Sequence, residues 1–65
     1  MKKFYMQSNS GNKLGNLQED TRVLIETNTK DFYTATICEE YLMTDMGIKF
    51  ELETLSEKWN YCILK

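Results

Sequence analysis

Apolar and charged side chains alternate most regularly over residues 48–53. The two sets are Ile48, Phe50 and Leu52 on one side, and Lys49, Glu51 and Glu53 on the other. Because successive side chains of a β-strand point to opposite faces of a sheet, this order predicts a strand with one buried and one solvent-exposed face. It is the clearest strand in the chain.

Four other segments have the composition of strands: residues 2–7, 21–27, 32–38 and 59–64. The second is rich in β-branched and apolar side chains and runs into a polar turn. In the third, Tyr33, Ala35 and Ile37 lie on one side, and the threonines between them favour extended backbone. The fourth is apolar on both faces, which predicts a central or covered strand.

Helical structure is an open alternative in two places. Cys38, Tyr41, Leu42 and Met46 recur at helical spacing before Gly47. A helix over residues 39–46 is therefore the main competitor of an all-β chain. Asn16 and Glu19 have the spacing of a capping box, which predicts a helical turn over residues 17–20.

The length of 65 residues leaves room for one hydrophobic core. We predict a single all-β domain over residues 1–65, either a small barrel or a curled antiparallel meander of four or five strands, with one short helix left open. Residues 1–7 form an N-terminal strand or arm, and residues 17–65 form the core of the barrel. Residues 8–16 between them hold two of the three glycines and are predicted to be a polar loop.

The chain has two cysteines and no histidine. Without histidine it lacks the commonest general base and the usual partner of a nucleophilic serine or cysteine, so we predict a protein that is not an enzyme. A structural zinc site takes four thiolate or imidazole ligands, more than this chain holds. We accordingly predict no metal and no other cofactor.

Two further patterns concern location. A signal peptide needs an apolar run of roughly 7–15 residues after its basic start, and none follows Lys2 and Lys3. No stretch approaches the roughly 20 apolar residues that cross a bilayer. We expect a cytoplasmic protein without a membrane partner, in which Cys38 and Cys62 stay reduced as buried or half-buried thiols.

Residues 22–50 resemble the SH3-like barrels, and within them the Tudor type. The resemblance rests on residues 22–25, on the aromatic-x-Ala-x-Ile pattern at 33–37 after a short acidic turn, and on residues 48–50. It implies a barrel that binds a ligand, because Tudor-like members hold methylated lysine or arginine in aromatic cages and other SH3-like barrels bind peptides or nucleic acid. The candidate cage walls are Tyr33, Phe50, Trp59 and Tyr61. Burial in the core is the favoured interpretation of these aromatics, with Tyr33 the least committed.

Charge is distributed unevenly along the chain. Residues 1–30 carry five Lys or Arg and three Asp or Glu, whereas residues 31–65 carry three and seven. An acidic surface attracts basic partners and repels phosphate. We therefore predict a protein-interaction module whose partner has a basic surface. The predicted contact residues are Glu39, Glu40, Tyr41, Glu51, Glu53 and Glu57.

A short acidic domain can occupy the basic nucleic-acid groove of a larger enzyme and so inhibit it. In size and composition the chain is typical of small phage or mobile-element proteins that disarm a host enzyme or defence system, and such an inhibitor is the leading hypothesis. The plain alternative is that the acidic residues only keep the protein soluble. A homo-oligomer is also open, since a second copy can complete a core this small.

The alternative function is a nucleic-acid-binding barrel. It would use a basic patch near the N-terminus, with a tyrosine available to stack on a base. The residues predicted for that patch are Lys2, Lys3, Arg22, Lys30 and Tyr33.

Overall fold

The computed structural model describes residues 5–11, 13–55 and 58–64, which form one antiparallel β-sheet. Its strands are β1 (Gln7–Ser8), β2 (Arg22–Glu26), β3 (Phe32–Ile37), β4 (Tyr41–Thr44), β5 (Lys49–Glu51) and β6 (Asn60–Ile63). They lie in the order β1-β6-β2-β3-β4-β5, so β1 and β5 are the edges. The all-β prediction is confirmed, with six strands among the described residues instead of four or five.

Residues 39–46 do not form a helix, so that alternative is wrong. The N–H of Cys38 donates to the carbonyl of Tyr41 at 2.8 Å and closes a tight turn. The chain then pairs with β3 on one side and β5 on the other, with Leu42 opposite Ile37 and Phe50. Pairing on both sides imposes a period of two, which overrides the helical spacing of the apolar side chains.

The helical turn predicted at residues 17–20 is also wrong. The N–H of Thr21 donates to the carbonyl of Gln18 at 3.3 Å and closes a tight turn, but Asp20 has a φ of 69°, which is not helical. A 3₁₀ helix spans Lys13–Asn16 inside the predicted loop. Asn9 is buried, and its Oδ1 accepts the N–H of Leu14 at 3.0 Å. A polar side chain thus caps the turn from five residues upstream, while Leu14 enters the core. The N–H of Asp20 instead donates to Ile37 O and ties this part of the chain to β3.

One face of the sheet is buried, and the two 3₁₀ helices, Lys13–Asn16 and Leu52–Thr54, pack against the same core. The core side chains are Leu14, Val23, Ile25, Ala35, Ile37, Leu42, Leu52, Leu55, Trp59 and Tyr61. The alternation predicted for residues 32–38 is confirmed, because Ala35 and Ile37 are buried and Tyr33 is half-buried. Strand β6 is internal, between β1 and β2, as its two apolar faces predicted.

The strand predicted over residues 48–53 is shorter than the pattern. Strand β5 ends at Glu51, and Leu52 begins the second 3₁₀ helix while still reaching the core. Ile48 lies in the preceding turn and is 39% exposed, although the alternation assigned it to the buried face. The turn before β5 therefore sets the exposure of Ile48, and the turn after it sets the backbone conformation of Leu52. No helix among the described residues is long and apolar enough to cross a membrane.

Candidate functional site

Five of the six residues predicted to contact a partner line two adjoining cavities. The first cavity, of about 160 Å³, is lined by Glu40, Tyr41, Lys49, Glu51 and Glu53. The second, of about 280 Å³, is lined by Gly15, Asn16, Glu39, Glu40, Leu52 and Glu53. Glu40 and Glu53 belong to both. We call the surface formed by Glu39, Glu40, Tyr41, Glu51 and Glu53 the acidic surface; the sixth residue, Glu57, lies outside the described residues.

Backbone pairing brings these residues together from two segments of the chain, 39–41 and 51–53. Tyr41 on β4 lies directly opposite Glu51 on β5. The N–H of Leu52 donates to the carbonyl of Glu40 at 3.1 Å, which continues the ladder past the end of β5. The hydroxyl of Thr54 donates to the carbonyl of Glu51 at 3.1 Å and holds the second 3₁₀ helix against the strand. The acidic surface is therefore built on hydrogen-bonded backbone.

Lys49 is the one cation of the first cavity. Its Nζ lies 4.5 Å from the centre of the Tyr41 ring, within the range of a cation–π contact. The sequence pattern placed Lys49 and Glu51 on one face but did not show which residue of β4 they would meet. In the structure Lys49 is opposite Met43, so Tyr41 is its diagonal neighbour. The sequence pattern also did not predict Gly15 and Asn16 as lining residues, because they reach the second cavity from a distant part of the chain.

The pKa of Tyr41 is raised above its ordinary value, first by interaction with the neighbouring Cys38 thiol, and also by desolvation and the charge of Glu19. At neutral pH the side chain is therefore a hydroxyl donor among carboxylates. This arrangement can bind a cation or a polar partner, and it offers no ionised phenol for acid–base work.

The described residues of the basic patch in the alternative hypothesis, Arg22, Lys30 and Tyr33, do not form one cluster. Lys2 and Lys3 lie outside the described residues. Arg22 makes a bidentate ion pair with Asp45, with Nη1–Oδ1 and Nη2–Oδ2 distances of 2.8 Å. Its Nη1 also donates to the hydroxyl of Thr36 at 3.1 Å. A phosphate would have to compete with these partners for the guanidinium.

The same contacts shift the acidity of the pair. The hydrogen bonds from Arg22 and Thr34, the latter at 2.6 Å, and the charge of Arg22 outweigh desolvation and lower the pKa of Asp45 to about 2. The pKa of Arg22 is raised in turn by its hydrogen bond and charge interaction with Asp45. Asp45 and Arg22 therefore stay charged together at any physiological pH.

Lys30 lies at the far end of β2 from Arg22. It stands in the turn between β2 and β3 and lines a cavity of about 210 Å³ with Glu26, Thr27, Asn28, Lys58 and Asn60. From Arg22 to Glu26 alone the strand rises about 13 Å. Tyr33 is half-buried and packs against the core. The described part of the patch is thus dispersed along the hairpin.

The aromatic residues of the proposed cage pack as the sequence favoured, in the core. Trp59 is 8% and Tyr61 is 3% exposed. The rings of Phe50 and Trp59 meet edge to face with centroids 5.1 Å apart. The hydroxyl of Tyr61 donates to Oε1 of Gln7 at 3.4 Å, which links β6 to the edge strand β1.

The cysteines and carboxylates were compared with the requirements of a disulfide and of a metal site. Cys38 and Cys62 are free and half-buried, as predicted. Within residues 5–11, 13–55 and 58–64, no three His, Cys, Asp or Glu side chains are grouped to hold a metal ion.

Comparison of the chain with protein-family models, with curated proteins and with solved structures found no match. The resemblance to SH3-like barrels stays a prediction.

Proposed function

We propose that this protein is a non-enzymatic interaction module that binds a protein partner with a basic surface through the acidic surface. The observation that carries the proposal is the convergence of Glu39, Glu40, Tyr41, Glu51 and Glu53 on two adjoining cavities. These residues were selected for charge and position in the sequence alone. Their assembly from separate segments supports a binding role over a purely solubilising one.

The physical chemistry of the surface suits a lysine- or arginine-bearing partner. Four glutamates and one lysine leave the two cavities with a net negative charge. The glutamates are exposed, so a partner's ammonium or guanidinium group can pair with them without deep burial of either charge. Such a surface also speeds encounter with a basic protein and repels nucleic acid.

The leading version is a small inhibitor, of the kind encoded by phages or mobile elements, that covers a basic functional groove of a host enzyme or defence protein. Its support is analogy in size and charge, together with the dispersal of the basic patch. We propose an SH3-like barrel as the scaffold, in agreement with the all-β sheet. We further propose that the protein acts in the cytoplasm, where its target would be.

The test is affinity capture from a lysate of the natural host, using the unaltered protein and two charge-reversed variants. Glu51→Lys with Glu53→Lys alters the acidic surface. The control, Glu26→Lys with Asp31→Lys, makes the same change in net charge beside the turn between β2 and β3, outside the acidic surface. We expect one stoichiometric protein to be captured by the unaltered chain and the control, and lost with the first variant.

Nuclease treatment distinguishes a protein partner from the alternative, nucleic-acid binding. A partner protein retained after nuclease, and lost only on Glu51→Lys with Glu53→Lys, supports the proposal. Equal capture by both variants in physiological salt would show that the acidic surface does not bind the partner. Loss of every partner on nuclease treatment would favour the nucleic-acid-binding barrel instead.

A further inference from the structure

At the edge of the sheet beside the acidic surface, some backbone groups bond to no described residue. Among the described residues, strand β5 pairs with β4 alone and is an edge strand. The bonds from Thr44 N to Ile48 O and from Leu52 N to Glu40 O show that residues 48 and 52 direct their backbone groups towards β4. In an antiparallel ladder these alternate, so Phe50 bonds to β4 while Lys49 and Glu51 direct their N–H and C=O groups outward.

Only one of these outward groups has a partner among the described residues. The carbonyl of Glu51 accepts the hydroxyl of Thr54. The N–H and C=O of Lys49 and the N–H of Glu51 bond to no described residue. Natural proteins usually protect such an edge by covering it, bending it or placing charges on it. Here Lys49 discourages unspecific pairing, yet its ammonium is drawn over the ring of Tyr41.

We propose that β5 receives an extended segment of the partner as an additional antiparallel strand, in which lysine or arginine alternates with apolar residues. This inference rests on the proposed function and states how the acidic surface is engaged. Backbone hydrogen bonds to Lys49 and Glu51 supply the attachment, as in other cases of strand addition to a sheet edge. The side chains on either face of β5 select the sequence.

The two faces of β5 set different requirements. On the outer face, a basic residue opposite Glu51 lies within reach of its carboxylate, which lines the first cavity. A neutral residue fits opposite Lys49, because like charges directly opposite each other are unfavourable. On the inner face, an apolar residue meets the half-buried ring of Phe50, which already packs against the core.

The shorter edge β1 is a weaker candidate. Strand β1 contains two residues, Gln7 and Ser8, and no acidic residue. Strand β5 contains three residues, one of which is the acidic Glu51. It is followed closely by Glu53, which lines both cavities. Charge complementarity therefore assigns a basic segment to β5.

The experiment uses the full chain labelled with ¹⁵N and a synthetic pentapeptide, acetyl-Lys-Val-Lys-Val-Thr-amide, followed by NMR titration. In the expected register, the amide of the central lysine points at β5 and the amides of the valines point away. Two matched peptides carry a single N-methyl group, one on the central lysine and one on a valine. They have equal charge and differ only in which hydrogen bond is blocked.

We expect amide exchange at Lys49 and Glu51 to slow when the unmethylated peptide binds. Methylation of the central lysine should weaken binding roughly tenfold, the equivalent of one hydrogen bond, and methylation of the valine should change it little. Glu51→Lys should reduce binding of all three peptides.

Equal binding of the two methylated peptides, or binding without slower exchange at Lys49 and Glu51, would overturn strand addition. The proposed function would survive that result, because attraction by charge alone would explain it. Failure of the unmethylated peptide to bind would likewise overturn the inference. Capture from the host lysate with the charge-reversed variants then decides the proposed function independently.

Discussion

Two turns at the same end of the sheet share three hydrogen bonds and differ in sequence. Residues 27–31 join β2 to β3, and residues 44–48 join β4 to β5. In each, the first residue donates its N–H to the carbonyl of the fifth, and the fourth donates to the carbonyl of the first. In each, the first residue is a buried threonine whose hydroxyl accepts the N–H of the fifth. The threonine is the shared determinant.

The turns differ in sequence at every position after the threonine, and the second and fourth positions affect the backbone most directly. The fourth residue has a positive φ in both, 65° at Lys30 and 89° at Gly47, a conformation that only glycine adopts without strain. The second residue of the first turn is Asn28, which is exposed. In the other turn it is Asp45, whose N–H donates to Thr34 O and whose carboxylate holds Arg22. The turn that leads into β5 is therefore relaxed and anchored, whereas the first is strained.

This difference bears on the binding hypothesis, because the anchored turn sets the position of β5. Residue 48 ends the turn and β5 begins at Lys49. Any change that loosens residues 44–48 should disturb Lys49 and Glu51, and through them the acidic surface. Changes in residues 27–31 should affect stability alone.

The largest effect is expected for Thr44→Val. The hydroxyl of Thr44 is buried and accepts the N–H of Ile48 at 3.0 Å, so its loss leaves a donor without a partner. Such a loss costs about 1–3 kcal/mol, a large part of the stability of a domain this small. Urea denaturation measures it. Thr27→Val should cost less. Its bond to Asp31 N is longer, 3.2 Å, the residue is less buried, and its other partner, Thr29 at 2.9 Å, is exposed to water.

A loss for Thr27→Val equal to or greater than that for Thr44→Val would show that the two threonines do not differ in this way. NMR shifts of Lys49 and Glu51 provide the second measurement. They should move with Thr44→Val and stay unchanged with Thr27→Val.

An intermediate effect, of opposite sign in the two turns, is expected at the fourth position. Gly47→Ala should destabilise by about 1–2 kcal/mol, because open space surrounds the site and only the left-handed backbone opposes a side chain. Lys30→Asn should stabilise by roughly 0.5 kcal/mol, because asparagine tolerates this conformation better than lysine. Thermal or urea unfolding reports both changes.

The matched controls separate backbone strain from other causes. Gly15→Ala also meets open space but has no left-handed φ, so it should not destabilise. Lys30→Ala removes the same charge as Lys30→Asn without the tolerance for positive φ, and it should give no gain. A loss at Gly15 as large as at Gly47, or a gain with Lys30→Ala, would contradict the interpretation.

The smallest effect is expected from pH, at the second position of the anchored turn. The pKa of Asp45 is about 2 in the fold, against an ordinary 3.8. The folded state therefore favours the carboxylate, and the stability it contributes is full above about pH 4 and is lost as the pH falls towards 2. Both partners of the pair are close to half exposed, so the contribution is small and weakened by salt.

Unfolding measured between pH 5 and pH 2 tests this expectation. Asp45→Asn should flatten part of the pH dependence, whereas Asn28→Asp should not reproduce it in the other turn. An unaltered slope in the Asp45→Asn variant would show that other carboxylates account for the acid sensitivity.

Local patterns predicted the segments that became β2, β3, β5 and β6, but they did not single out β4 as a strand and they placed Ile48 on the buried face. The alternation around Ala35 and Ile37, and the two apolar faces of residues 59–64, predicted the observed sheet because burial follows directly from side-chain type. The alternative of a helix over 39–46 was wrong. Tyr41 and Leu42 fit both the helical and the strand period, and pairing of this segment with β3 and β5 selected the strand. The loop at 8–16 was misjudged because the role of Asn9 depends on its distance from Leu14 in space.

The sequence by itself determined that this protein is an all-β chain with one core, and that its second half is acidic. Side-chain branching, alternation and charge are properties of neighbouring residues, so they can be read without knowing the fold. Only the tertiary structure decided that Arg22 is bound by Asp45, that Lys49 lies over Tyr41, and that β5 is an edge. These facts depend on strand register and order, which join residues far apart in the chain.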